Sequence, residues 1–101
     1  MHDVDVIDWH EGITKRISTH TNRVYRWDLT DWLDGATVAS AEVVAPTGIT
    51  AAVEGAVGST YVDVRVSGAA LGARYIVKVR ATSTDANQAD GWPVTFEVFP
   101  A

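Results

Sequence analysis

Residues 60–83, TYVDVRVSGAALGARYIVKVRATS, limit what this chain can fold into more than any other stretch. Val62, Val64 and Val66 alternate with Tyr61, Asp63, Arg65 and Ser67, the period of two that sends successive side chains of a strand to opposite faces. Beyond Gly68 and Gly72 the pattern returns, with Tyr75, Val77, Val79 and Ala81 on one face and Lys78 and Arg80 on the other. Strands with one apolar and one charged face need a second layer against the apolar side. The expected fold is therefore all-β, a small sandwich in which these two strands meet at a Gly-punctuated corner.

The length fits a single sandwich. A chain of 101 residues is one domain's worth and buries roughly two-thirds of its unfolded surface. It contains no cysteine, which excludes disulfide staples, thiolate metal sites and Cys nucleophiles, and makes a reducing cytoplasm the expected place of folding. A formal net charge of −5 repels a phosphate backbone, so nucleic acid is not an expected partner. The start, MHDVDVIDWHEG, has neither a basic n-region nor an apolar h-region, so no signal peptide is expected. The most apolar stretch, residues 36–56, is broken by Glu42, Pro46, Gly48, Glu54 and Gly55, and no membrane contact is expected from it.

Turn signals recur about every ten residues. Ile13, Lys15 and Ile17 make a weak early alternation, and Tyr25, Trp27 and Leu29 a stronger one. Asp34 followed by Gly35 turns the chain, residues 37–45 read as a Val-rich strand, and Pro46, Thr47 and Gly48 end it. Residues 49–53 form a short strand, and Gly55 and Gly58 bracket the next turn. The last strand is expected over 94–98, with Pro93 at its first position, where a strand tolerates proline. About seven short strands and no segment long enough for a crossover helix point to an antiparallel, immunoglobulin-like sandwich. Tyr75, entering its strand just after Leu71, Gly72, Ala73 and Arg74, fits a tyrosine corner whose hydroxyl bonds back to nearby backbone.

Signals for chemistry are sparse. The chain has no Gly-rich phosphate loop, no GxSxG elbow and no HExxH, so an enzyme is not expected and neither is a cofactor. His2, His10 and His20 fall in the first twenty residues without i,i+4 spacing and read as a polar segment, not a metal site. Asp28, Asp31 and Asp34 form a DxxDxxD series; an EF-hand spaces its ligands at every second position and closes with Glu, so a solvated acidic loop is the favoured reading. Of the four tryptophans, Trp27 shares a face with Tyr25 and Leu29 and is expected at the centre of the core. Trp9, Trp32 and Trp92 fall outside the alternating runs, where large apolar rings either close the ends of a sandwich, anchor another subunit or stack on a sugar.

The run YRWDLTDWLDGATV at 25–38, with its Trp27 and Trp32, then Pro46, Thr47, Gly48, Ile49 and Thr50, then Ser67 with Gly68 and Gly72 to Tyr75, resembles the small immunoglobulin-like virion proteins of tailed bacteriophages. The resemblance spans roughly residues 23–99. Trp27 precedes Asp28 where the family pattern has the reverse order, and the strand around Val43 lacks an aromatic often found there. The resemblance implies a non-enzymatic structural protein of the virion, assembled in the host cytoplasm, that binds capsid or tail subunits. Capsid decoration is preferred slightly over a fibre-tail adaptor, and self-association stays open. The expected organisation is an N-terminal arm or edge strand over residues 1–22, removable without unfolding the rest, and a sandwich over 23–101. Interface candidates are Trp9, His10, Ile13, Ile17, Trp32 and Trp92, with Trp27 and Tyr75 structural. The alternative is a carbohydrate-binding sandwich that uses its exposed tryptophans.

Overall fold

The computed structural model describes residues 4–68 and 74–98. The strands are β1 (Val4–Ile7), β2 (Thr14–Ile17), β3 (Asn22–Asp28), β4 (Val38–Val44), β5 (Thr50–Gly55), β6 (Tyr61–Ser67), β7 (Arg74–Ser83) and β8 (Gln88–Val98), with a single helical turn, α1 (Thr30–Leu33), after β3. They form two four-stranded sheets, β1-β3-β6-β5 and β2-β8-β7-β4. Immunoglobulin constant-type sandwiches divide their strands B, E and D from C, F and G; here β3, β6 and β5 are divided from β4, β7 and β8 in the same way. The two additions are β1 and β2, which pair in parallel with β3 and β8, while the remaining pairs are antiparallel.

The alternation in residues 60–83 translates directly into layers. Val62, Val64 and Val66 on β6 are each fully buried, and Tyr75, Val77, Val79 and Ala81 on β7 face them from the other sheet. These two strands are thus neighbours across the core and not partners in a hairpin. The corner that joins them, including Leu71, Gly72 and Ala73, lies outside the described residues. Burial of each such side chain contributes roughly 1.5–3 kcal/mol. Asp63 and Arg65 take the opposite face of β6: Asp63 receives a bidentate pair from Arg26 at 2.8 and 3.0 Å, and Arg65 is paired with Glu54. The Arg26 guanidinium also lies 3.8 Å from the centre of the Tyr61 ring.

Trp27 is completely buried, tilted against Phe96 at 6.5 Å, and Tyr25 meets Phe96 edge-on at 5.0 Å. Tyr75 is 8% exposed, and its ring lies so close to Gly48 that a Cβ there would stand 3.0 Å from both Cε1 and the hydroxyl oxygen. Gly48 also has φ +106°, so space and backbone both require glycine at the corner after Pro46.

Three features depart from the expectations. First, residues 30–33 are helical: Leu33 N–H donates to the Leu29 carbonyl at 2.9 Å, and Asp34, at φ 48°, closes the turn through its N–H to the Thr30 carbonyl at 3.2 Å. One turn is too short to produce a helical repeat in the sequence. Second, β8 begins at Gln88 and runs straight through Pro93. Val77 opposes Val94 and Val79 opposes Gly91, so Trp92 and Pro93 together face Lys78 alone. This is a β-bulge, the one place inside a paired strand where proline's missing N–H does no harm, and Trp92 adopts φ 56° there. Third, the sandwich is not wholly antiparallel, because residues 4–17 supply an edge strand to each sheet. Ile7, Ile13 and Ile17 are 1%, 8% and 3% exposed and belong to the shared core.

Candidate functional site

Three chain segments meet at one end of the sandwich. The end of β1 continues through Asp8 and Trp9; β3 runs out through Asp28 and Leu29 into α1, which carries Asp31 and Trp32; and the bulge of β8 brings up Trp92. Between them is an open cleft of about 560 Å³ lined by Val6, Ile7, Asp8, Trp9, Asp28, Leu29, Thr30, Asp31, Trp32 and Trp92. Trp9, Trp32 and Trp92 are distant in sequence, and all three line it.

Each wall is fixed by a specific interaction. The Trp9 indole Nε1–H donates to the Pro93 carbonyl at 3.0 Å, tying the segment after β1 to the bulge. The core Trp27 indole donates to the Trp92 carbonyl at 2.8 Å, so two consecutive bulge carbonyls are held by two indoles. A bulge frees backbone groups from the ladder, and here those groups position the cleft. Trp32 packs edge-to-face on Trp92, with ring centres 5.4 Å apart and planes at 75°, an arrangement favoured by the aromatic quadrupole. All three rings are partly exposed, and Val6 is 54% exposed on the same rim.

The polar part of the cleft is acidic. Asp28 accepts hydrogen bonds from the Thr30 N–H at 3.0 Å and the Thr30 hydroxyl at 2.5 Å, which satisfies an otherwise orphan amide at the start of α1. The Thr30 hydroxyl and amide both hold the Asp28 carboxyl below its ordinary value, because hydrogen bonds to the charged form favour it. Asp8 and Asp31 are exposed, and among the described residues neither is in an ion pair. Asp34 lies at the far end of α1 as its left-handed cap, so the DxxDxxD series is split by the helical turn. Among the described residues no group of three His, Asp or Glu side chains is arranged to hold a metal ion.

The other residues singled out from the sequence are placed differently. His10 is exposed beside the cleft, its Nδ1 3.1 Å from the Glu11 carbonyl. Ile13 and Ile17 are in the core, so their surface is used within the sandwich. Asp8, Val6 and the role of the bulge were not singled out, and the only signal for them was the proximity of Asp8 to Trp9.

No curated protein matches the chain. Among solved structures, the solution structure of Amebosin matches with a TM-score of 0.54 over 97% of this chain and 98% of that chain, at 17% identity; at that identity the likeness is one of fold. A family described as "Podophage GP4 fiber-tail adaptor protein gp77" matches residues 18–91, from the loop after β2 into the bulged strand β8. With most of its length matched, including Trp27, α1 and the pairing of β3 with β6, the chain belongs to the podophage gp77 fibre-tail adaptor family.

Proposed function

We propose that this protein is a non-enzymatic adaptor that joins virion proteins through protein–protein contact, and that the cleft bounded by Trp9, Trp32 and Trp92 is its principal contact surface. The observation that carries the reading is the convergence of the three part-exposed tryptophans on one end of the sandwich. Tryptophan is the residue most enriched among interface anchors, where a large rigid ring fills a pocket on the partner at low entropic cost. The outer faces of the sheets, in contrast, carry ion pairs such as Arg26 with Asp63, Arg80 with Glu42 and Asp90, and Arg74 with Glu97, around the exposed Ile76 of β7. The family description supports a place in the tail over one on the capsid surface.

The test uses particles assembled without this chain, to which purified protein is added and incorporation measured by co-sedimentation. Trp32→Ala is expected to leave the thermal unfolding transition within a few degrees and to reduce incorporation about tenfold or more, the effect of losing one interface anchor. Trp9→Ala should act in the same direction. Incorporation of both variants at the wild-type level would rule the cleft out as the contact.

A further inference from the structure

The cleft has a chemical preference, and it rests on the docking role just proposed. We infer that its occupant is a cationic side chain, arginine or lysine, presented by a segment of the neighbouring virion protein. Two independent features of the walls point the same way. The indole faces of Trp9, Trp32 and Trp92 carry negative quadrupolar charge and attract cations. The polar groups are carboxylates, of Asp8, Asp28 and Asp31, and no Lys or Arg is among the lining residues.

The distribution of charge over the molecule explains why no internal cation fills the place. Seven of the eight Lys and Arg are already in ion pairs: Lys15, Arg16, Arg26, Arg65, Arg74, Lys78 and Arg80. Their partners, Asp5, Glu42, Glu54, Asp63, Asp90 and Glu97, are spread over the strands. The carboxylates outside these ion pairs therefore include all three that line the cleft, with Arg26 acting on Asp28 only through its field. Of the six described carboxylates outside ion pairs, Asp8, Glu11, Asp28, Asp31, Asp34 and Asp85, half line the cleft.

Charge separates a cation from a sugar. Ionised carboxylates only accept, and the Thr30 hydroxyl already donates to Asp28, so the carboxylates of the cleft ask their ligand for donors, and charged donors serve them best. A guanidinium offers five donors and no acceptor, and an ammonium offers three. A sugar hydroxyl can donate to a carboxylate too, but it is neutral, and hydrogen bonds between two charged groups are roughly twice as strong as neutral ones. Arginine adds a planar group that stacks on an indole while it pairs with a carboxylate.

The probe is N-acetyl-arginine amide, with N-acetyl-lysine amide, N-acetyl-leucine amide and methyl glucoside as comparisons, titrated against the full chain. The readout is the indole Nε1–H resonances of the four tryptophans by NMR. Saturable shifts at Trp9, Trp32 and Trp92 are expected with the arginine and lysine probes and not with the leucine probe or the sugar. The double variant Asp8→Asn with Asp31→Asn, both exposed and outside any ion pair, is expected to keep the thermal transition and to bind the arginine probe about fivefold more weakly. Saturation by the glucoside or the leucine probe, or unchanged arginine binding in the double variant, would overturn the inference. The particle assay then separates the two levels of the argument. If Trp32→Ala abolishes incorporation while the double Asn variant incorporates normally, the cation is refuted and the docking cleft stands. If both variants incorporate normally, the docking cleft fails as well.

Discussion

Asp28 shows how one side chain links chain direction, local structure and pH. Placed at the end of β3, its carboxylate accepts the Thr30 N–H and hydroxyl and so starts the helical turn that carries Trp32 into the cleft. Asp28 precedes the N-cap, Leu29, and its bond to the Thr30 N–H closes an Asx turn; losing such a hydrogen bond typically costs about 1 kcal/mol. Asp28→Ala is accordingly expected to lower stability by about that amount at pH 7, measured by urea unfolding. The pH dependence has a definite sign. The folded carboxyl titrates below its ordinary value, so its stabilisation is fully present above the unfolded value of about 3.9 and is lost as pH falls through the lower folded value. The gap between wild type and Asp28→Ala should therefore be constant from neutral pH down to about 5, narrow once pH drops below the unfolded value of about 3.9, and close below the lower folded value. A gap that stayed the same at low pH would show that the negative charge of Asp28 contributes nothing to the turn.

At the scale of elements, the first two strands decide how large the folding unit is. Ile7, Ile13 and Ile17 are buried, and at roughly 1.5–3 kcal/mol each the three together are worth about 5–9 kcal/mol. Domains of this size are stable by only about 5–15 kcal/mol. Deletion of residues 1–17 is thus expected to lower the melting temperature by at least about 20 °C or to abolish the cooperative transition, followed by tryptophan fluorescence. A truncated chain melting within a few degrees of the full one would instead make residues 1–17 a dispensable arm. That expectation reverses the one from the sequence, and the reason is physical. In β1 the apolar alternation of Val4 and Val6 marks the wrong face: Val6 is 54% exposed, whereas Ile7, on the face it shares with Asp5, is the buried residue. Where alternation ran for several residues, as in β6 and β7, the buried face could be read directly, and so could Trp27 as the central aromatic. The extension of β8 back to Gln88 was hidden because Pro93 normally ends a strand, and only pairing with β7 shows that a bulge accommodates it. Trp9, Trp32 and Trp92 stood out individually as rings without a place in a strand. That they share one cleft depends on the bulge and on the parallel pairing of β1 with β3, contacts between residues far apart in sequence that leave no local pattern.

Over the whole molecule, charge is arranged so that the faces are neutralised and one end is not. Ladders such as Arg65 with Glu54 and Asn22, or Arg80 bridging Glu42 and Asp90, are exposed and each contributes little to stability. They give the sheets surfaces that neither attract nor repel strongly, while the cleft keeps Asp8, Asp28 and Asp31 with no Lys or Arg among its lining residues. A docking end of this kind acts over a distance as well as in contact, since complementary charge raises the rate of productive encounter more than it changes the lifetime of the complex. The range is set by salt: the screening length is about 10 Å at 0.1 M and about 3 Å at 1 M. The association rate of the full chain with particles lacking it should therefore fall severalfold between about 0.02 and 0.5 M NaCl, with the dissociation rate nearly unchanged. The Asp8→Asn, Asp31→Asn variant should start slower and respond less to salt, because the charge that steers it has been reduced by two at the cleft and not on the paired faces. Neutralising Asp85, which lies on the turn between β7 and β8, removes one unit of net charge elsewhere and should leave the slope close to wild type. If all three proteins showed one common salt dependence, overall charge would govern association and the cleft would have no special part in it.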